Sequence, residues 1–290
     1  MKRVAGLLPG LFACALSGCS LFSHLTWTHD DKAGKEPTPI VGAPSKHVTR
    51  VAQFWFFSDI KLQEDHPFFK EVSKHRANVY RELRLPPSDT NVLVYLFDTK
   101  ESYEQFLQRN HPKLPERRAF FVAQAMRKGA TEDLMVYTYW SDTIQKDLRH
   151  ELTHAMLHSV LKGVPIWLDE GLAEYFELPV NQNGVNPKHL ENLRQAGGRF
   201  NLDRLEKLEE VHQMSPSEYR ESWAWVHLML RSTPQAKQAL LSYLQDLRTN
   251  ATPGPLRPRL ANVVLSPDTA LQNHLAELDR KLPSGTSAKR

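Results

Sequence analysis

Cysteine is almost absent from this sequence, and long runs of like charge are absent altogether. The 290 residues include two cysteines, Cys14 and Cys19, so none follows position 19. The rest of the chain therefore has no internal disulfide bond and no thiolate zinc site. No run of five residues carries charge of one sign, and the formal net charge is only +4. We expect no nucleic-acid partner.

The first 18 residues have the pattern of a secretion signal. Two basic residues precede a mostly apolar stretch, residues 4–16, which is too short to cross a bilayer as a helix. The tetrapeptide LSGC, which ends at Cys19, resembles the lipobox of bacterial lipoproteins. This resemblance implies cleavage before Cys19, acylation of its side chain and a lipid anchor in the bacterial cell envelope. Ser20 fits the periplasmic face of the outer membrane, and an ordinary signal peptide cut near Gly18 remains the alternative.

Composition divides the remaining chain into three parts. Residues 19–46 contain three prolines and two glycines and predict a flexible linker behind the lipidated cysteine. Hydrophobic residues make up 41% of the sequence, which is enough for a core. We expect one folded domain over residues 47–248 and a helical, partly disordered tail over residues 249–290.

Strand patterns come first in this domain and helix patterns follow, which predicts an α+β fold with an N-terminal mixed sheet. Helical spacing of apolar residues indicates helices at residues 60–83 and 100–108 between the strands. From residue 142 onward the pattern is helical. The predicted strands are residues 49–57, 91–97, 119–123 and 134–139.

The pentapeptide from His150 to His154 reads His-Glu-Leu-Thr-His, which matches the metal-binding pattern HExxH. Residues four apart lie above one another on a helix, so both imidazoles can reach one ion. Glu151 projects about 100° further round the helix and can reach a water molecule beside that ion. The pattern predicts two ligands and a catalytic base, although histidine and glutamate are also common on solvated helix faces.

A catalytic zinc ion needs a third protein ligand besides water. His158 lies about 12 Å from His150 along a straight helix, too far for both to bind one ion. Glu170 is the better candidate, because the turn near residues 161–165 lets a second helix fold back antiparallel to the first. We expect His158 to pack against that helix or lie on the surface, and Asp169 to lie on the surface.

The two motifs together, HELTH and LDEGLAEY around Glu170, resemble the gluzincin clan of zinc metallopeptidases, which includes thermolysin and aminopeptidase N. The resemblance implies one zinc ion held by His150, His154 and Glu170, with Glu151 as the base. It also implies that Glu174 hydrogen-bonds a ligand imidazole, with an exposed helix glutamate as the alternative. The 15 residues between His154 and Glu170 are fewer than in those enzymes.

The segment YRESWAWVHL, which begins at Tyr219, resembles the gluzincin helix that presents an oxyanion-binding tyrosine. Serine stands at position 222 where that family usually has glycine. The resemblance implies that Tyr219 stabilises the tetrahedral oxyanion together with zinc. The alternative is that Tyr219 only packs at the start of a helix.

These expectations add up to a zinc-dependent hydrolase of peptide or protein substrates. The resemblance implies that residues 134–139 form the edge strand on which an extended peptide binds. The sequence lacks the Gly-x-Met-Glu-Asn stretch that aminopeptidase N relatives use to bind a free amino terminus, which favours an endopeptidase. The alternative is a non-catalytic lipoprotein that uses a structural or relic zinc site to bind a partner.

Overall fold

The structure is a computed structural model that describes residues 37–112, 114–124, 133–197 and 200–282. The predicted signal, Cys19 and most of the linker lie outside the described residues, as do residues 283–290 of the predicted tail. None of the helices in the described part is long and apolar enough to cross a membrane.

A five-stranded mixed sheet forms the N-terminal half. Its strands lie in the order β1-β2-β3-β5-β4. The pairs β2–β3 and β3–β5 are parallel, and β1–β2 and β4–β5 are antiparallel. The strands are β1 His47–Val51, β2 Phe54–Ser58, β3 Val92–Phe97, β4 Ala119–Gln124 and β5 Asp133–Tyr139.

Both faces of the sheet are covered, which explains why the central strand β3 is apolar throughout its length. All six of its residues are buried. Val92 and Val94 pack into a large core that continues into the helical half, whereas Leu93 and Tyr95 pack into a smaller core on the opposite face. A strand enclosed on two sides reads as a continuous apolar run, and this is what residues 92–97 show.

The segment predicted as one strand, residues 49–57, is a hairpin of two strands. Val51 pairs with Phe54, so only two residues form the turn. Ala52 in that turn has a φ of 55°, the left-handed conformation that such short hairpin turns require. The β-rich composition predicted the strands correctly but gave no sign of the turn, because no glycine or asparagine marks it.

Two helices accompany the sheet, α1 Pro67–Leu83 and α2 Lys100–Asn110. We predicted that the first would begin at residue 60, but it begins seven residues later. His66 caps it by accepting a hydrogen bond from the Phe68 N–H, and Pro67 occupies the first helical position, where a missing N–H has no cost.

The second half is helical and confirms the predicted α+β class. Two short 3₁₀ segments, Val180–Gln182 and Val211–Gln213, lie between its helices. The helices are α3 Ile144–His158, α4 Ile166–Phe176, α5 Pro187–Gln195, α6 Leu202–Leu205, α7 Pro216–Arg231, α8 Pro234–Leu247, α9 Arg257–Ala261 and α10 Pro267–Lys281.

Helices α9 and α10 fall in the segment that we predicted to be a tail. Their residues Leu260 and Leu271 are fully buried in the large core that also holds the helices before them. The described part of the segment thus packs on the domain.

Helices α4 and α7 pack against each other at unusually short range. A Cβ atom on Gly171 of α4 would lie only 2.7 Å from the backbone oxygen of Ser222 on α7. Any larger residue at position 171 would force these two helices apart. Gly171 therefore fixes the separation of the helices that carry Glu170 and Tyr219.

Candidate metal centre

Helix α3 carries His150, Glu151 and His154, as the HExxH pattern predicts. The two imidazole rings lie one turn apart, with centroids separated by 5.0 Å. Both are largely shielded from solvent, with 14% and 8% of the side chains exposed. Helix α3 follows β5 after a short turn and packs on β4 and β5, so the sheet holds this helix in place.

Glu170, on the first turns of α4, completes a cluster of three. Its Oε2 atom lies 3.3 Å from His150 Nε2 and 3.5 Å from His154 Nε2. The ligand atoms of His150, His154 and Glu170 lie within 4.8 Å of one another and could hold a metal ion. The structure thus brings together the three residues that we predicted as ligands.

Each imidazole turns its other ring nitrogen toward a different carboxylate. His150 Nδ1 hydrogen-bonds Glu177 Oε2 at 3.3 Å, and His154 Nδ1 lies 2.9 Å from Asp169 Oδ1. Carboxylates in these positions orient metal-ligating histidines and raise their basicity. They leave both Nε2 atoms facing Glu170.

The prediction that Asp169 lies on the surface is wrong. Its side chain is 16% exposed, and its second oxygen pairs with His158 Nε2 at 2.9 Å. The first turn of α4 packs on α3 so that Asp169 faces two histidines that are one turn apart. His158 therefore packs against the second helix, as expected, and its ring also lies at a tilt beside Phe121, with centroids 5.1 Å apart.

Burial and carboxylates together make this cluster attractive to positive charge. Burial alone would lower the pKa of His154, but Asp169 and Glu170 raise it to about 10. Burial would raise the pKa of Glu170, yet the two imidazoles hold it at about 2. A site that keeps its carboxylates ionised and draws protons onto its imidazoles also favours a divalent cation in place of those protons.

One buried atom in the cluster lacks a well-aligned hydrogen bond. Within the described residues, no donor is aligned with the fully buried Glu170 Oε2, although both imidazole Nε2 atoms lie within 3.5 Å of it. A buried carboxylate oxygen normally has a hydrogen-bond donor, and leaving it without one is unfavourable. Since both Nε2 atoms face this oxygen, a cation between the three atoms would satisfy it.

Glu151 is buried beside the cluster but outside the ligand set. Burial raises the pKa of its carboxyl group, although the two imidazoles and a hydrogen bond from the Phe121 backbone N–H act in the opposite direction. A raised carboxyl pKa suits a group that accepts a proton and gives it up again.

Tyr219, near the start of α7, reaches the cluster through its hydroxyl group. Its hydroxyl group donates to Glu170 Oε1 at 3.4 Å and accepts from Arg117 Nη2 at 3.0 Å. Burial, with help from Glu170, raises the pKa of Tyr219 to about 12, although Arg117 opposes this. The phenol is therefore protonated at neutral pH and can donate a hydrogen bond.

Glu174 requires a correction. We expected its carboxylate to hydrogen-bond a ligand imidazole, but its Oε2 atom pairs with His189 of α5 at 2.8 Å. Glu177, nearly one turn further along, takes the expected place on His150 and is held there by Lys146 at 2.9 Å. Ligand atoms of Glu174, Glu177 and His150 nevertheless form a second group within 4.8 Å that could hold a metal ion.

The strand next to the metal cluster is also different from the one we expected. Strand β5, residues 133–139, is not an edge strand, because it lies between β3 and β4. The edge is β4, whose Phe121 ring stacks on His154 with centroids 6.0 Å apart. The hairpin-like pairing of β4 with β5 places β4 outside, and sequence order alone did not reveal this.

Three residues of the site escaped the sequence analysis: Asp169, Glu177 and Arg117. For Glu177 a signal existed, since Glu170, Glu174 and Glu177 follow the spacing i, i+4, i+7 of a single helix face. For Asp169 the signal was that His154 and His158 lie one helical turn apart, close enough for a single carboxylate to contact both. Arg117 lies in an irregular segment, and no pattern in the sequence marks it.

Cys19, the predicted lipidation site, lies outside the described residues. Comparison with protein-family models and with curated protein sequences found no match.

Proposed function

We propose that this chain is a zinc-dependent hydrolase that cleaves peptide bonds. The observation that carries the proposal is the convergence of His150 Nε2 and His154 Nε2 on Glu170 Oε2, with Glu151 buried beside them on the same helix. Three ligands alone would suit a structural or a catalytic ion. The adjacent carboxylate outside the ligand set favours catalysis, because a purely structural site needs no base.

The spacing of the ligand atoms supports zinc. Two atoms bound at roughly 2.0–2.1 Å to a tetrahedral ion are about 3.4 Å apart. The distances from Glu170 Oε2 to the two imidazole nitrogens are 3.3 and 3.5 Å. Two histidines and one carboxylate also suit iron(II), so metal analysis is the first assay. When bound, zinc supplies a Lewis acid that lowers the pKa of water and polarises a carbonyl group.

Glu151 moves the protons in the proposed reaction. Its carboxylate accepts a proton from the attacking water and passes this proton to the nitrogen of the leaving amine. The raised pKa of this buried side chain suits both steps, because a more basic carboxylate takes the proton more readily. His150 and His154, oriented by Glu177 and Asp169, would hold the metal and transfer no proton.

Tyr219 stabilises the negative charge that develops on the substrate oxygen. Its hydroxyl group is protonated at neutral pH and lies beside Glu170, at the edge of the ligand cluster. The N–H of Arg117 occupies a lone pair of the phenol oxygen, so the phenol proton, which Glu170 Oε1 accepts over a long 3.4 Å in this structure, would turn to a substrate oxygen. A donor aimed at a developing oxyanion is worth about 10²–10³ in kcat.

Strand β4 supports a peptide as the substrate. In the described part of the sheet, β4 pairs with β5 alone, so its outer edge is open to an added strand. Phe121 in this strand contacts His154 and hydrogen-bonds Glu151. An extended peptide along this edge would bring its backbone beside the base and the metal ligands. Such binding depends on the backbone and suits cleavage within a chain.

The test is the substitution Glu151→Gln, which removes the base and leaves every ligand in place. We expect the variant to retain zinc and to lose peptide hydrolysis by about 10²–10⁴-fold, measured on a library of fluorogenic peptides. The exposed Glu209→Gln serves as the matched control. Unchanged hydrolysis in Glu151→Gln would contradict the mechanism. A zinc-loaded wild type that cleaves no peptide would favour the non-catalytic alternative.

A further inference from the structure

Two adjacent arginines, Arg117 and Arg118, lie between α2 and β4 in very different surroundings. Arg118 forms a two-pronged ion pair with Asp147 of α3, with both nitrogen–oxygen distances at 2.9 Å. Arg117 donates to the hydroxyl group of Tyr219 instead. In the described part of the chain, no carboxylate lies within ion-pair distance of Arg117, and the charges of Glu170 and Glu151 act on it only from further away.

Arg117 is also close to the reacting centre. Only the phenol oxygen of Tyr219 separates its guanidinium group from Glu170, through contacts of 3.0 and 3.4 Å. The guanidinium carbon lies 5.9 Å from the centre of the tyrosine ring. The residue is exposed to solvent, so a ligand in the site can reach it.

Supporting Tyr219 uses only a small part of what a guanidinium group offers. A phenol oxygen needs one N–H donor, and a guanidinium group has five in a planar fork. The remaining donors and the positive charge match a carboxylate, which accepts two parallel hydrogen bonds from such a fork.

We propose that Arg117 binds a carboxylate of the substrate next to the scissile amide, so that the site prefers anionic peptides. The inference rests on the proposed function and deepens it by naming a substrate class. The carboxylate can be the carboxyl terminus of a peptide cut one residue from its end, or the side chain of aspartate or glutamate beside the cleaved bond.

Two pairs of fluorogenic peptides distinguish these sources. In the first pair, the residue after the scissile bond ends in a free carboxylate or in a carboxamide. In the second pair, both ends are blocked and that residue is aspartate or asparagine. We expect wild-type protein to prefer the anionic member of one pair by about tenfold or more in kcat/KM. The pair that shows the preference identifies the source.

The variants are Arg117→Gln, Arg117→Lys and the matched control Arg118→Gln. Arg117→Gln should abolish the preference, mainly by raising KM for the anionic peptide, while Arg117→Lys retains part of it because the charge remains without the fork. Arg118→Gln should keep the preference. Equal losses on anionic and neutral peptides in Arg117→Gln, or a wild type without a preference, would overturn the inference and reduce Arg117 to a support for Tyr219.

Binding separates this inference from the proposed function. Zinc-loaded Glu151→Gln protein, with and without Arg117→Gln, is titrated with the same peptides by calorimetry. If wild-type protein cleaves peptides but neither cleavage nor binding depends on the carboxylate, only the inference fails. If nothing is cleaved, yet the anionic peptides bind more tightly through Arg117, only the proposed reaction fails.

Discussion

At the scale of single residues, the site depends on two carboxylates that contact the Nδ1 atoms of the imidazoles. Asp169 faces His154 and Glu177 faces His150, each on the ring nitrogen that does not face Glu170. His158 and Lys146 hold these two carboxylates in turn. The orientation of both Nε2 atoms therefore depends on residues outside the group of three candidate ligands.

Replacing Asp169 with asparagine should weaken zinc binding. The amide keeps the size of the side chain but loses the negative charge that orients His154 and raises its basicity. We expect zinc affinity to fall about 10–100-fold, measured by competition with a chromophoric chelator. Glu174→Gln, on the same helix but paired with His189, should change affinity much less. Equal affinity in Asp169→Asn and wild type would refute the role of Asp169.

The sequence predicted His150, Glu151, His154 and Glu170, because each depends on helix periodicity or on a motif. It did not predict Asp169, because the packing of α4 on α3 decides which residues of the first turn of α4 face α3. Arg117 could not be found either, because an irregular segment has no period. Local spacing thus identifies the candidate ligands, whereas tertiary packing decides which residues contact them.

At the scale of elements, the position of Glu170 relative to Tyr219 depends on the contact between α4 and α7. Gly171 follows Glu170 directly, and Ser222 lies nearly one turn after Tyr219. Because these helices meet where no Cβ fits, Gly171 fixes the distance between Glu170 and Tyr219, the proposed ligand and the proposed oxyanion donor.

Gly171→Ala should destabilise the domain despite the higher helix propensity of alanine. The added methyl group would lie 2.7 Å from the Ser222 backbone oxygen and would push α7 away from α4. We expect the free energy of unfolding in urea to fall by about 1–3 kcal/mol. Stability equal to or greater than that of the wild type would show that the two helices can separate without cost.

Helices α7 and α10 meet through two histidines, and this contact should depend on pH. His227 of α7 is fully buried, and its Nδ1 atom lies 2.9 Å from His274 Nε2. Burial, together with the neighbouring His274 and Arg231, lowers the pKa of His227 from 6.5 to about 3. The folded chain therefore excludes a proton that the unfolded chain binds readily.

The sign of the pH effect follows from this difference. Above pH 6.5, His227 is neutral in both states and its contribution to stability is complete. Between pH 6.5 and about 3, only the unfolded state takes up the proton, so each pH unit lowers the free energy of unfolding by about 1.4 kcal/mol. His227→Gln should reduce the loss between pH 7.5 and 5.5 in urea titrations. The exposed His212→Gln should leave this loss unchanged, and an equal loss in both variants would contradict the assignment.

The order of the strands could not be read from the sequence. The segments 119–123 and 134–139 were both predicted as strands, but the order of strands in a sheet depends on long-range pairing. Because β5 pairs with β3 in parallel, β4 has to take the outer place. The open edge beside the metal cluster therefore belongs to β4.

At the scale of the whole molecule, the site lies where the sheet meets the helical half. Strand β4 contributes Phe121, α3 the proposed base and two candidate ligands, α4 the third candidate ligand, and α7 the tyrosine. The large core extends from the sheet to α10, so one hydrophobic core holds all four elements. The α+β class followed from the sequence because strand and helix patterns are segregated along the chain.

Zinc titration of wild-type protein and of Glu170→Gln tests the central claim most directly. Metal analysis and competition with a chelator should give one zinc ion per wild-type chain, bound without any thiolate. Glu170→Gln should weaken zinc binding by more than the roughly 10–100-fold expected when a residue that only hydrogen-bonds a ligand, such as Asp169, is replaced. A wild-type protein that binds no zinc, or a Glu170→Gln variant that binds it equally well, would contradict the account.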